Sequence, residues 1–365
     1  MRVVVAPDKF AGTLTAVEAA DAIATGWLRR APGDQVVTVP MSDGGPGFCD
    51  VMHAALGGSR SGVTVAGPHG EPVAASIVRV DDTAYVECAQ ACGAHLVPPG
   101  RHDPERATTL GVGQLMAAAL DAGARRVVVG LGGSATNDAG AGLLAALGAT
   151  CSPAGSLTSG PAGLALVERV DLNAARDRVG DAELVAASDV DNPLLGLRGA
   201  TNVYGGQKGI ADERKLAVDA ALQRFADLTD PLTARVAGAG AAGGLGFALL
   251  LLGGTRRPGV DVVADAVGLP RHAAEADVVL TGEGAFDVTS GSGKVVAGVA
   301  KTAGEALRPC IVVAGQVLVG AREMRALGIE AAYGMTDLVG LETAMAEPAQ
   351  SLARLAERVA RTWSF

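Results

Sequence analysis

Five short stretches set glycine beside carboxylate, amide or hydroxyl side chains, each after a run of strand-forming residues: Asp8 to Thr13, Asp43 to Gly47, Gly132 to Asp138, Ser188 to Pro193, and Thr281 to Lys294. Asp8, Asp43, Asp138, Asp189, Asp191, Glu283 and Asp287 lie in them, more acids than turn chemistry requires. Carboxylates gathered near phosphate repel it unless a divalent cation stands between, and Mg²⁺ takes one or two carboxylates together with phosphate oxygens and water. Phosphoryl transfer from ATP with Mg²⁺ fits this set, since it needs a carboxylate to orient a hydroxyl and cations to hold the transferred group. Asp189, at a strand end, is the candidate base; its competing role is a turn residue ahead of Asn192-Pro193. Lys294, preceded by Gly291-x-Gly293, is the first candidate cation for phosphate, with Lys208 next; an ordinary surface lysine is the competing role for Lys294. Asp138, Asp189 and Asp191 are the candidate Mg²⁺ ligands.

The densest of these stretches follows Val127-Val128-Val129 and runs from Gly130 to Gly142. It reads as strand, glycine turn and helix, the helix carrying Leu143, Leu144 and Leu147 on one face. A helix start of this kind is expected to aim unpaired N–H groups at an anion. Two familiar phosphate motifs do not fit. A dinucleotide fingerprint needs an acid about 20 residues on, and none occurs between Asp138 and Glu168; a P-loop needs a Lys-Ser or Lys-Thr pair, and no lysine is near. An ordinary strand-to-helix turn remains the competing reading, against which Ser134, Thr136, Asn137 and Asp138 crowd more polar groups than a helix cap uses. No Gly-x-Ser-x-Gly or His-Glu-x-x-His is present, and the five histidines stand far apart, His69 and His95 reading as loop or core residues.

The elements that must hold these loops alternate strand and helix at both ends of the chain. Residues 2–6 and 36–40 read as strands, and Thr15 with Glu18 forms a capping box ahead of an apolar face through Val17, Ala20, Ile23, Ala24 and Trp27. After Gly67 to Gly70 the residues 73–80 and 83–88 read as consecutive strands, which breaks the alternation and marks a domain boundary. Helices are expected near 110–122, up to Gly148, and over 212–225, with a strand at 184–187. From Asp277 the alternation returns, with strands at 278–280, 311–314 and 331–335, helices at 295–306 and 321–327, and a closing amphipathic helix through Leu352, Leu355 and Val359. The fold class is α/β: one open parallel-sheet domain from residues 1–66 and 267–365, with a second α/β domain, 67–266, inserted.

With 365 residues, 49% hydrophobic and 3% aromatic, two cores built of Ala, Val and Leu are expected. The formal net charge of −9, the absence of a Lys/Arg run and the scarcity of stacking aromatics argue against nucleic acid as a partner. Residues 236–255 hold no charge, but their glycine-rich first half leaves only 245–252 strongly apolar, a buried helix and not a membrane span. No leader pattern is read at the N-terminus, and the cytoplasm is the expected location. The five cysteines, with only Cys88 and Cys92 closely spaced, read as core residues in a reducing compartment.

Taken together, these stretches resemble the glycerate kinase family, over essentially the whole chain. The similarity is carried by Ala6-Pro7-Asp8 with Gly12-Thr13-Leu14, Ser42-Asp43-Gly44-Gly45, residues 132–142, Asp189-Val190-Asp191-Asn192-Pro193-Leu194, residues 203–209 and 240–246, and Thr281-Gly282-Glu283-Gly284. It implies a flavodoxin-like domain from both chain ends, an inserted α/β domain, an active site in the cleft between them, and ATP-dependent phosphorylation of D-glycerate at the 2-hydroxyl. Where the family usually reads Asp-Ser-Phe-Lys-Gly, this chain has Lys9 before Phe10 and Ala11 in the lysine's place. Pro46 and Phe48 replace Glu and Thr, Ala285 replaces an Arg, and Thr289-Ser290 replaces a Gln-Thr pair. An arginine clamp is not replaceable by alanine, so a sister kinase with another small hydroxyl substrate and a non-catalytic nucleotide-binding relative stand as alternatives. The expected site sets Asp189, Lys294 and Lys208 as catalytic, and Asp8, Lys9, Asp43, Asp287 and Ser134 against substrate. ATP falls to Gly132, Gly133, Ser134, Thr136, Asn137, Gly282, Glu283 and Gly284. The expected partner is a small hydroxy acid, with no nucleic acid or membrane, in a monomer or homodimer.

Overall fold

The computed structural model describes residues 1–98, 100–288 and 294–364. The chain divides into two compact units: Met1–Asp43 with Asp50–Leu56 and Val260–Phe365, and Gly44–Cys49 with Gly57–Gly259.

The first unit is built on five parallel strands. Across the sheet they run Ile329–Gly334, Cys310–Ala314, Val278–Thr281, Arg2–Val5 and Gln35–Thr38. Counted along the chain this is the order 2-1-3-4-5 read from the other edge, the flavodoxin-like arrangement whose switch point lies between the first and third strands. Val3, Val5, Val278, Leu280, Ile311 and Val313 are buried on one face and Val4, Val279 and Val312 on the other, as the continuous β-branched and leucine runs of a sheet covered on both faces require. The helix Ala16–Arg30 opens with the expected capping box: Thr15 Oγ1 accepts from the Glu18 amide, and Glu18 returns to the Thr15 amide. Its Trp27 is fully buried and donates Nε1–H to Asp34.

The second unit carries a six-stranded sheet in the order Thr255–Arg257, Glu183–Ala187, Arg126–Gly130, Thr83–Glu87, Pro72–Val80 and Ser59–Ala66. The first four are parallel; the last two complete an antiparallel edge. Ser59–Ala66 pairs along its whole length with Pro72–Val80, so the chain enters this unit before residue 67, earlier than the pattern change marked it. Thr255–Arg257 is a further strand that the glycine-rich run before it conceals, and Leu245–Leu251 is the buried helix expected from that run. Among the described residues no helix is long and apolar enough to cross a membrane.

In the first unit the helix Ala16–Arg30 packs closely on the terminal helix Pro348–Trp363. A Cβ placed on Gly26 would stand 2.0 Å from the Ala353 carbonyl oxygen, so the two backbones approach as only glycine permits. Gly26→Val is expected to cost about 2–3 kcal/mol in urea unfolding, as overpacking against a backbone atom does. Gly304→Ala, at a helical glycine with nothing within 4 Å, is expected to stabilise by about 0.5–1 kcal/mol. A Gly26→Val protein as stable as wild type contradicts this packing.

Candidate active site

In the second unit the glycine turn leaves Arg126–Gly130 at the carboxyl end of the sheet and is sewn to both neighbours. The Leu131 amide donates to Ala187, the Cys88 amide to Gly130, the Ala94 amide to Gly133 and the Ala135 amide to Cys92. The helix that follows begins only at Ala141. Its leading amides do not face an anion, because Asp138 has taken them. That carboxylate is fully buried and accepts from the amides of Gly140 and Gly142 and from the amide and hydroxyl of Thr109, at 2.8–3.2 Å. Burial pushes the Asp138 carboxyl up while these donors pull it down. The expected helix-start cradle is thereby corrected: the chain caps this N-terminus with its own acid, Oδ2 accepting three of these bonds and Oδ1 one, and Asp138 serves as a staple.

What remains of the turn faces a cation. Lys208 is buried, and its ammonium donates to Ser134 Oγ at 2.9 Å and to the Thr136 carbonyl at 2.7 Å. Its hydrogen-bond acceptors are neutral, and burial lowers its pKa from 10.5 to about 8 against the pull of Asp138. A Cβ on Gly243 would collide with the Thr136 carbonyl at 2.0 Å and reach the Lys208 ammonium at 2.9 Å, so glycine here lets residues 240–246 close over the lysine. Asn137 is fully buried, donates to the Thr201 hydroxyl, and keeps a buried Oδ1 with no hydrogen-bond partner among the described residues. Gly133 is exposed and Gly132 half-buried, so the accessible lip of the turn is Gly132–Gly133, with Ser134 behind it.

Asp189 follows Glu183–Ala187, the strand beside the one that leads into the turn, and is half-buried. Asp191 is exposed and pairs with Arg256 at 2.6 Å, while Arg256 Nε also donates to the Ser188 carbonyl. Asn192 is held by Tyr204 and by the Arg198 carbonyl. The three acids named as metal ligands therefore do not form one set; among the described residues no group of three or more His, Cys, Asp or Glu could hold a metal ion. Thr109 and Arg256 are the partners missed in sequence, since each comes from an element distant in the chain.

In the first unit the acidic loops leave the first and third strands, at the switch point. The Asp8 amide donates to the Gly282 carbonyl, and Thr281 Oγ1 to Ala6. Lys9 Nζ stands 3.7 Å from Asp8 and 3.9 Å from Asp43, so the cation that departs from the family's position still serves this carboxylate cluster. Burial raises Asp8 from 3.8 to about 6, with Asp43 and Glu283 adding and Lys9 opposing. The Gly315 and Gln316 amides donate to the Glu283 and Gly284 carbonyls, which ties this loop back to the neighbouring strand end. Asp287 is half-buried just past the short strand Ala285–Phe286, and Lys294 is the cap residue of the helix Val295–Glu305. Gly291 and Gly293, expected to lead into Lys294, and Thr289-Ser290 lie outside the described residues.

The raised pKa of Asp8 fixes a pH dependence. The folded state favours the protonated carboxyl, so the contribution is full below 3.8 and is lost as pH rises through about 6. Asp8→Asn is expected to gain on wild type by ~3 kcal/mol between about pH 4 and pH 7, read from urea midpoints; a difference that does not change with pH contradicts the buried-acid geometry.

A model of the glycerate kinase family matches residues 3–364. Glycerate kinase of Bacillus subtilis (strain 168) is 39% identical over 99% of this chain and 97% of its own. Glycerate 2-kinase of Escherichia coli (strain K12) is 37% identical over 99% and 98%. A crystal structure provisionally described as glycerate kinase 2 from Salmonella typhimurium LT2 superposes with a TM-score of 0.84 at 36% identity, covering 99% of this chain and 98% of that one. The family match, the relatives and the solved structure all span nearly the whole length and agree: the chain is a kinase and belongs to the glycerate kinase family.

Proposed function

We propose that this kinase transfers the γ-phosphoryl group of ATP to the 2-hydroxyl of D-glycerate, giving 2-phosphoglycerate. The observation that carries this is Lys208: among the described residues this buried ammonium at a glycine turn is held by neutral oxygens, with Asp138 acting on it only from beyond salt-bridge distance, and such a site is costly unless a ligand supplies closer charge. A phosphate oxygen of ATP fits it, with the Gly132 and Gly133 backbone alongside. The buried acceptor of Asn137 offers a further ligand contact.

Asp189 takes the hydroxyl proton as the acceptor oxygen bonds to the γ-phosphorus; the bond from that phosphorus to the β-bridging oxygen breaks, and ADP leaves with the electron pair. The residues fit Mg²⁺ in the manner that ion prefers, with one or two carboxylates and the rest phosphate and water. Asp189 is the carboxylate assigned to it, with Asp191 able to join by releasing Arg256. When bound, Mg²⁺ neutralises charge on the phosphates. Lys9, set between Asp8 and Asp43, and Lys294 are assigned to the acceptor carboxylate and the transferred group. Glu283 with its flanking glycines is assigned to ATP and Asp287 to substrate. We place the activity in the cytoplasm, in keeping with five free cysteines.

ADP formation with Mg²⁺ and D-glycerate tests the assignment. Asp189→Asn is expected to lower kcat at least ~100-fold, the usual scale for a lost base. Lys208→Met is expected to weaken ATP binding instead. Wild-type affinity for ATP should fall as pH rises through about 8, where Lys208 loses its proton, and the variant should lack that step. ATP binding by Lys208→Met equal to wild type across this range contradicts the assigned phosphate site.

A further inference from the structure

We propose that a cavity in the first unit, beside Ala11 and Ala285, is a subsite for an uncharged apolar side group on the hydroxy-acid acceptor; this rests on the kinase assignment above. The two positions at which the chain lacks the family's long cations lie far apart in sequence, yet both line this one cavity of about 230 Å³. Phe10, Met335, Leu341 and Met345 supply its large apolar side chains, and among the described residues no lysine, arginine, aspartate, glutamate or histidine lines it. A lysine or arginine at either position would extend a charged stem into this space; alanine leaves it open and neutral. An anionic group finds no counter-charge there, whereas the few polar groups, Thr13, Gln316 and Thr336, serve at most to orient a neutral occupant.

The location ties the cavity to the acceptor. Phe10 and Ala11 follow Asp8 and Lys9 directly, and Gly284 and Ala285 follow Glu283, so the cavity opens off the same two loops that hold the acidic cluster at the switch point. An apolar cavity of about 150 Å³ accommodates benzene, so this one has room for a phenyl-sized group on the carbon that in glycerate bears only the terminal hydroxyl. Filling a hydrophobic pocket of this kind shifts affinity by about tenfold or more.

The test compares 3-phenyllactate with lactate, which share the carboxylate and 2-hydroxyl and differ in the phenyl ring. Binding to the wild-type protein is measured by calorimetry without ATP, and turnover with ATP and Mg²⁺ is measured separately. Phenyllactate is expected to bind about tenfold or more tightly than lactate. Ala285→Leu, which fills the cavity, and Met345→Ala, which strips its wall, are each expected to bring that ratio close to one. Equal binding of the two acids by wild type, or a ratio unchanged in both variants, overturns the subsite. If the binding preference holds while neither these acids nor D-glycerate is phosphorylated, the kinase assignment fails and the cavity stands. If D-glycerate is phosphorylated while the preference is absent, the subsite fails and the assignment stands.

Discussion

The buried carboxylate of Asp138 sets the form of the second unit's site. Four donors from two distant parts of the chain converge on it, and a buried acid so served is worth keeping only as a complete network, since removing the acid would strand every donor at once. By capping the helix at Ala141 it removes the ligand site that a free helix end would offer. It is at the preceding residues that Lys208 reaches Ser134 and the Thr136 carbonyl. The staple and the lysine thus divide one glycine turn: its second half belongs to the fold, and its first half is where we propose that phosphate binds.

Each unit keeps a charge that folding alone disfavours. Lys208 is depressed by burial, with Asp138 opposing only from beyond salt-bridge distance, and Asp8 is raised by burial with two further acids near it. Residues of this kind, desolvated and incompletely matched, mark sites where a ligand completes the electrostatics. Their signs differ as phosphate binding and acceptor handling would require: a cation at the turn, and acids interleaved with Lys9 at the flavodoxin-like switch point. Alanine at positions 11 and 285 removes further charge from the margin of the second cluster and leaves an apolar wall in its place.

Much of the architecture was legible because its signals are local. The capping box of Thr15 and Glu18, the valine runs of the first and central strands, and the hairpin after Gly70 depend on neighbours in sequence, and each formed as its pattern directs. The edge strand Ser59–Ala66 was harder to see because its exposed outer half carries serine, arginine and glycine, a composition shared with loops. At the site, clustering of acids and glycines marked the right loops but not the duties of their residues. Nothing near Asp138 announces Thr109 as its partner, and nothing near Asp191 announces Arg256, because both pairings are made by the folding of separate elements onto adjacent strands. Likewise Ala11 and Ala285 are visible as single departures, while their meeting in one cavity exists only in three dimensions.

Phosphorus NMR of the reaction with ATP, Mg²⁺ and D-glycerate tests the central claim most directly. The account predicts a new phosphomonoester signal coupled to a single carbon-bound proton, the signature of an ester at the 2-position, appearing as ADP accumulates. A signal coupled to two such protons would place the phosphate on the terminal hydroxyl, and ATP left intact beside unchanged glycerate would contradict the assigned transfer altogether.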